Sequence, residues 1–188
     1  DDALKHINTV LELLPTSHDA FMQIAYIYFR SGKVEKSLPY FRRAIELSPY
    51  YSQTRVDLAS ALAHLKRFEE AEEICKQLTQ EQPEEVALQF GYGYVLLQAE
   101  KIESAEKQLL KAFSLDPNAF HLRQLVDSKL QAAGRQSTTR EFDRLFIQAQ
   151  PDRDKAYGQL VDYYVSLKDF TSAKYYQRLR DEMEADGK

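Results

Sequence analysis

Four histidines and one cysteine are the side chains with which this sequence could bind a transition metal or carry out nucleophilic chemistry. A zinc-binding helix places two histidines four residues apart, so that both imidazoles lie on one side. Here His6, His18, His64 and His121 lie far apart in the chain, and we expect each to be a surface or groove side chain. Cys75 lies in an apolar helical stripe and is expected to be a buried, unreactive thiol. The sequence therefore predicts no catalytic, metal-binding or cofactor-binding residue.

The composition of the 188 residues argues against two classes of partner. The formal net charge is −4, whereas nucleic-acid binding depends on clustered Lys and Arg, so we predict no nucleic-acid partner. No apolar run approaches the roughly 18 residues of a membrane span, and no signal peptide is visible, although the first residue is not Met. The single cysteine excludes an internal disulfide but does not fix the compartment. We expect a soluble protein without membrane insertion and favour the cytoplasm over the periplasm or secretion.

Five prolines, at positions 15, 49, 83, 117 and 151, stand 34 residues apart. A constant interval of this length is typical of a chain built from one repeated supersecondary unit. In the first full unit, apolar residues recur at helical spacing from Phe21 to Tyr28 and again from Val34 to Ile45. A short segment with Gly32 separates the two stripes, and a proline ends the second. The sequence therefore predicts two antiparallel helices in each unit.

Aligned on their prolines, the units share two columns that are mostly small residues. The first column holds Ala25, Ala59, Gly93, Asp127 and Val161, and the second holds Ala3, Ser37, Ala71, Ala105, Thr139 and Ala173. Small residues allow two helices to approach closely. A helix–turn–helix of 34 residues with small residues at positions 8 and 20 and proline at 32 resembles the tetratricopeptide repeat. The family's tryptophan at position 4 is absent: Phe21 and Tyr157 replace it, while Arg55, Gln89 and Arg123 depart from the pattern.

The resemblance covers nearly the whole chain and implies an all-α fold, a right-handed α-solenoid of antiparallel helix pairs with a 34-residue period. We predict a single array: a half repeat over residues 1–17, then repeats 1 to 5 over residues 18–51, 52–85, 86–119, 120–153 and 154–188. The last helix carries Gln177 and Arg180 in columns that are mostly apolar in the other repeats, which predicts a polar capping helix. The half repeat has an uncovered apolar face around Ile7. Either the chain was cut from a longer array, or a second copy covers this face in a homo-oligomer.

Repeat 4 departs most from the pattern. Asp127 occupies the small-residue column and Asp143 an apolar column, and two buried carboxylates would need partners. Thr138 and Glu141 have the spacing of a capping box, so the second helix of this repeat is expected to begin late. Two interpretations remain open at this point: tolerated sequence drift, or a soft joint between repeats 1–3 and repeat 5.

The first helices of such arrays line a concave groove, and the resemblance implies the same role here. The residues predicted to bind a partner are Met22, Gln23, Tyr26, Phe29, Arg30, Val56, Asp57, Ser60, His64, Phe90, Tyr94, Leu97 and Gln98. Exposed aromatic and apolar side chains in this set favour partner binding, and packing between neighbouring first helices is the alternative.

The family's best-known pocket holds acidic C-terminal tails of chaperones with Lys, Asn and Arg side chains. This chain has Met22, Tyr26, Asp57, Ala87 and Gly91 at those positions. We therefore expect a hydrophobic or mixed peptide, or an amphipathic helix, rather than an acidic tail.

The function expected from the sequence is a non-catalytic scaffold or adaptor that binds a peptide or helix of a protein partner in the groove. Two alternatives remain open. One is a targeting or regulatory segment of a larger enzyme or of a secretion or assembly machine, and the other is a self-assembling structural protein.

Overall fold

The computed structural model describes Thr9, Glu12 and residues 15–186. Every regular element from residue 15 to residue 186 is a helix, which confirms the predicted all-α class. The helices of this range are α1 (His18–Arg30), α2 (Val34–Leu47), α3 (Ser52–His64), α4 (Phe68–Glu81), α5 (Val86–Gln98), α6 (Ile102–Leu115), α7 (Phe120–Ala132), α8 (Gln136–Ala149), α9 (Arg153–Ser166) and α10 (Phe170–Asp186). None of them is long and apolar enough to cross a bilayer. The handedness of the solenoid stays a prediction.

The chain divides into two compact units, Asp1–Leu115 and Asp116–Lys188. The N-terminal unit contains α1 to α6, and the C-terminal unit contains α7 to α10. The apolar residues predicted in the half repeat, Leu4, Ile7, Val10, Leu11 and Leu14, lie outside the described residues. The oligomer predicted through that segment therefore stays a prediction, as does the single array.

Each helix pair is joined by a three-residue turn that ends the first helix in the same way. In α1 and α2, the backbone N–H of Gly32 donates to Phe29 and that of Lys33 donates to Tyr28, the bonding pattern of a Schellman motif. This motif needs a residue in the left-handed region. The five residues that occupy it are Gly32 and Gly134, with φ of 75° and 74°, and Lys66, Glu100 and Lys168, with φ of 60°, 59° and 58°. Because such short turns leave two helices as antiparallel neighbours, each repeat folds as a hairpin.

At the left-handed position of these turns, we expect replacement of a glycine and replacement by a glycine to have opposite effects on stability. Gly32→Ala should lower the free energy of unfolding by about 1 kcal/mol, because a Cβ in the left-handed conformation costs about 1–2 kcal/mol. A Cβ at Gly32 meets no atom within 4 Å, so the loss would come from the backbone alone. Lys66→Gly relieves the same strain and should be neutral or stabilising. Urea unfolding of the two variants measures the difference, and equal effects would contradict the role of φ.

Close packing of the paired helices depends on the small-residue columns. Ala25, Ala71 and Ala105 are completely buried. Gly93 on α5 faces Leu109 on α6, and a Cβ added to Gly93 would lie only 2.7 Å from Cγ of Leu109. The absence of a side chain at Gly93 therefore allows α5 and α6 to approach each other.

Repeat 4 differs from the sequence-based expectation at the start of its second helix. The predicted capping box is wrong, because α8 begins at Gln136 and no side chain caps it. Thr138 is buried, and the Glu141 carboxylate pairs with Arg144 instead of turning back towards the helix start.

At the C-terminal end, Gln177 of α10 is exposed, whereas Arg180 is half-buried and forms an ion pair with Asp154 at 2.6 Å.

Candidate functional site

The residues predicted to bind a partner lie on α1, α3 and α5 of the N-terminal unit. We call the side of these helices that carries them the first-helix face. The side chains of Tyr26 and Phe29 on α1 contact Asp57 and His64 on α3, and residues of α3 and α5 line one pocket, so the residues form one surface within the N-terminal unit.

Tyr26 and Asp57 form the polar centre of the first-helix face. The Tyr26 hydroxyl donates to Oδ2 of Asp57 at 2.5 Å, and Nε2 of Gln53 donates to Oδ1 at 3.2 Å. Burial raises the pKa of Asp57, although both hydrogen bonds favour its ionised form. Burial and the neighbouring Asp57 raise the pKa of Tyr26, so its hydroxyl remains a donor. The guanidinium of Arg30 lies 6.0 Å from the centre of the Tyr26 ring.

An apolar pocket of about 200 Å³ opens between α3, α4 and α5 on the same unit. Its lining includes Val56, Ser60, Phe90, Gly91, Tyr94 and Gln98, together with Cys75 and Leu78 of α4. A Cβ added to Gly91 would meet no atom within 4 Å, so this glycine leaves open space beside the pocket. Burial raises the pKa of the Cys75 thiol to about 12, which keeps it protonated and unreactive.

The expectation that all the apolar members of the set are exposed is not met. Met22, Phe90 and Leu97 have exposed fractions of 7%, 7% and 5%. Phe90 stacks on Tyr94 and makes an edge contact with Phe113 of α6, so its ring contributes mainly to the core. The exposed members are Gln23, Arg30 and His64, and the half-buried members are Tyr26, Phe29, Val56, Asp57, Ser60, Tyr94 and Gln98. His64 packs edge-on against Phe29.

His18 takes part in an arrangement that resembles a nucleophile–base–acid triad. Its Nε2 lies 3.0 Å from Oγ1 of Thr54, and its Nδ1 lies 3.1 Å from Oδ1 of Asp19. Thr54 is completely buried, so its hydroxyl has no access to a substrate. The contact instead connects α1 to α3. In the part of the chain that the structure describes, no group of three His, Cys, Asp or Glu residues could hold a metal ion.

The C-terminal unit contains a buried polar cluster that is not predicted from the sequence. Nη1 of Arg123 donates to Oδ1 of Asp143 at 2.6 Å, and Nη2 donates to Oδ2 of Asp127 at 2.9 Å. Tyr163 donates to Asp127 at 2.8 Å, and Tyr164 and Tyr176 donate to Oδ2 of Asp143 at 2.7 and 2.6 Å. We call these six residues the Arg123 cluster.

Aromatic rings surround the guanidinium of this cluster. Its carbon lies 4.9 Å from the ring centre of Tyr163 and 5.6 Å from those of Phe120 and Phe142. Burial acts to lower the pKa of Arg123, but its interactions with Asp143 and Asp127 act in the opposite direction. The net effect raises the pKa above its ordinary value, so the guanidinium stays charged. One signal could have revealed the cluster: Arg123 and Asp127 are four residues apart, both in columns where the family has apolar or small residues.

Comparison with known proteins identifies the repeat. Family profiles described as "Tetratricopeptide repeat" match residues 1–52, 29–87 and 86–119. "Superkiller protein 3" of Saccharomyces cerevisiae is 22% identical over 135 residues, which are 72% of this chain and 9% of that protein. "TPR repeat-containing protein YpiA" of Bacillus subtilis is 30% identical over 110 residues, which are 57% of this chain and 26% of that protein. The chain thus spans about a tenth and about a quarter of these relatives.

The structural likeness extends over almost the whole chain. The pilF structure from Pseudomonas aeruginosa has a TM-score of 0.62 and 20% identity, and the match covers 96% of this chain and 86% of that one. Identity this low indicates a shared fold and nothing more. Proteins with this repeat generally mediate protein–protein interaction. On the combined evidence of repeat profiles and fold, the chain belongs to the tetratricopeptide repeat family.

Proposed function

We propose that the chain is a non-catalytic scaffold or adaptor, and that it binds a peptide or helix of a protein partner on the first-helix face. The observation that carries this proposal is the apolar pocket between α3, α4 and α5, which lies beside Gly91 and is lined by Tyr94. Tyr94 presents both a ring and a hydroxyl to an incoming segment. A pocket of about 200 Å³ has room for one apolar side chain of the partner rather than for a cofactor.

The charges on the face indicate the rest of the partner's chemistry. Asp57 is half-buried, and the ion pairs observed in the described part of the chain do not include it. A partner cation that reached Asp57 would be partly shielded from water, where an ion pair contributes more than at an exposed site. The proposed partner segment therefore carries one large apolar residue for the pocket and a Lys or Arg for Asp57. A targeting or regulatory segment of a larger protein would use the same face.

Selection of peptides from a displayed random library against the full chain would test the proposal. We expect the selected peptides to combine an apolar residue with a basic one. Replacing both Tyr26 and Tyr94 by Ala should weaken their binding at least tenfold in calorimetry, because truncating an aromatic anchor commonly costs more than about 1 kcal/mol. Gly91→Leu should weaken binding as well, since the new side chain would occupy the space beside the pocket.

Tyr50→Ala provides a matched control, because Tyr50 is 97% exposed in the turn between α2 and α3 and is not part of the first-helix face. Circular dichroism would verify that all variants remain folded. Selected peptides that bind the Tyr26/Tyr94 variant as tightly as the unmodified chain would contradict the proposed site. If the selection yielded no binding peptide, that result would contradict peptide binding itself.

A further inference from the structure

In the Arg123 cluster one guanidinium faces two carboxylates inside the protein core. Arg123 is completely buried, and Asp127 and Asp143 are each 1% exposed. With both carboxylates ionised, these three groups would carry a net charge of −1. An uncompensated charge in the core is strongly unfavourable, and a buried carboxyl group usually avoids it by taking up a proton.

The hydrogen bonds distinguish the two carboxyl groups. Both oxygens of Asp143 accept bonds, Oδ1 from Arg123 and Oδ2 from Tyr164 and Tyr176, all between 2.6 and 2.7 Å. Short bonds of this kind stabilise an ionised carboxylate. In Asp127, Oδ2 accepts from Tyr163 and Arg123, but Oδ1 has no hydrogen-bond partner in the described part of the chain.

We propose that Asp127 holds a proton at neutral pH, so that the Arg123 cluster is neutral and contains a single ion pair between Arg123 and Asp143. The groups that face Asp127 are Arg123 on its own helix α7, Asp143 on α8 and Tyr163 on α9. Burial raises the pKa of Asp127 and the charge of Asp143 raises it further, while Arg123 and the Tyr163 hydroxyl act in the opposite direction. Burial raises the pKa values of Tyr163, Tyr164 and Tyr176, and the charge of Asp143 raises those of Tyr164 and Tyr176 further, which keeps their hydroxyls as donors.

This proton makes the stability of the C-terminal unit depend on pH in an unusual direction. In the unfolded chain an Asp titrates near about 3.9, below the pKa of the folded state. Between these two values the folded unit holds one proton more than the unfolded chain. Its unfolding constant should therefore increase about tenfold for each unit of rising pH, until the pH passes the folded pKa. Mild acid therefore stabilises the C-terminal unit. If Asp127 were instead an ionised carboxylate held by ordinary ion pairing, acid would destabilise the unit.

Two isosteric variants of the full chain test the assignment. Asp127→Asn imitates the protonated carboxyl group but takes up no proton on folding, so its unfolding midpoint should lie above that of the unmodified chain at pH 7, by an amount that decreases as the pH is lowered. The unfolding constant of this variant should also no longer change tenfold for each pH unit. Asp143→Asn removes the ionised partner of Arg123 and should lower the midpoint markedly. Urea unfolding between pH 5.5 and 8.5, with hydrogen exchange of peptides from α7 to α10, reads this unit separately from the N-terminal unit.

Equal pH dependence in the unmodified chain and in Asp127→Asn would overturn the proposal, as would equal destabilisation by the two variants. A direct measurement covers the case in which a variant fails to fold. The ¹³C carboxyl resonances of aspartate in the unmodified chain should include one with the chemical shift of a protonated group at pH 7. A spectrum with only ionised aspartates would overturn the proposal without any variant.

Discussion

Arg123→Met is expected to lower the free energy of unfolding of the C-terminal unit by about 3–5 kcal/mol, the largest effect we predict for this chain. Removing one partner of a buried ion pair leaves the other charge uncompensated, and that loss is of this size. Asp143 would keep only its two tyrosine donors, and Asp127 only Tyr163. Urea unfolding followed by hydrogen exchange of α7 to α10 measures the change.

Arg178→Met is the matched control, because the Arg178 side chain is 68% exposed and its pair with Glu182 lies at the surface of α10. It should change stability by no more than about 0.5 kcal/mol. Replacing Arg123, Asp127 and Asp143 together by apolar residues of similar volume should recover most of the loss, since no charge is then left unpaired. A change below about 1 kcal/mol for Arg123→Met would show that the cluster is not a stabilising element.

The second large effect on stability is expected from substitution of Gly93, one of two glycines that lie two residues apart on α5. Gly93→Ala should lower the free energy of unfolding by about 1–3 kcal/mol, the usual cost of overpacking a core. The new Cβ would come within 2.8 Å of Cδ2 of Leu109 and within 3.2 Å of its backbone nitrogen. The flexible Leu109 side chain could move away, but the helix backbone of α6 could not without a shift of the whole helix.

Gly91→Ala is the internal control for helix propensity. Its Cβ meets no atom within 4 Å, so this variant should raise stability by about 0.5–1 kcal/mol, because Ala is the better helix former. The two substitutions are chemically identical and lie on one helix. Opposite signs of their changes in the free energy of unfolding would therefore isolate the effect of packing against α6. Equal effects in thermal unfolding would contradict the assigned role of Gly93.

Periodicity predicted the helix pairs well because backbone geometry repeats wherever the proline and small-residue columns repeat. The starts of α3, α5 and α7 at Ser52, Val86 and Phe120 are the first residues of repeats expected from the prolines alone. Gly93 was assigned to the small-residue column for the same reason. Local signals were less reliable: Thr138 and Glu141 have the spacing of a capping box, but burial of Thr138 and the pairing of Glu141 with Arg144 prevent it.

The Arg123 cluster could not be assembled from the sequence, because its members come from four helices. The sequence identifies Asp127 and Asp143 as carboxylates that need partners, but it marks Arg123 only as a departure from the family's tryptophan. The three tyrosine donors lie between 21 and 36 residues from the carboxylates they bind, and each is on a different helix from its acceptor. Similarly, position in the repeat identified the first-helix face but not the depth of each side chain, so Phe90 and Leu97 were expected to be more exposed than they are.

The Arg123 cluster also limits how this array could be rearranged. Repeat proteins tolerate the loss or exchange of whole units when each unit meets its neighbours through similar apolar surfaces. Repeats 4 and 5 lack that interchangeability, since Asp127 and Asp143 of one receive hydroxyl donors from Tyr163, Tyr164 and Tyr176 of the other. A recombination that separated the two repeats would expose or strand these carboxylates. We therefore expect repeats 4 and 5 to tolerate exchange only as a pair of about 70 residues, twice the length of the repeat from which the chain is built.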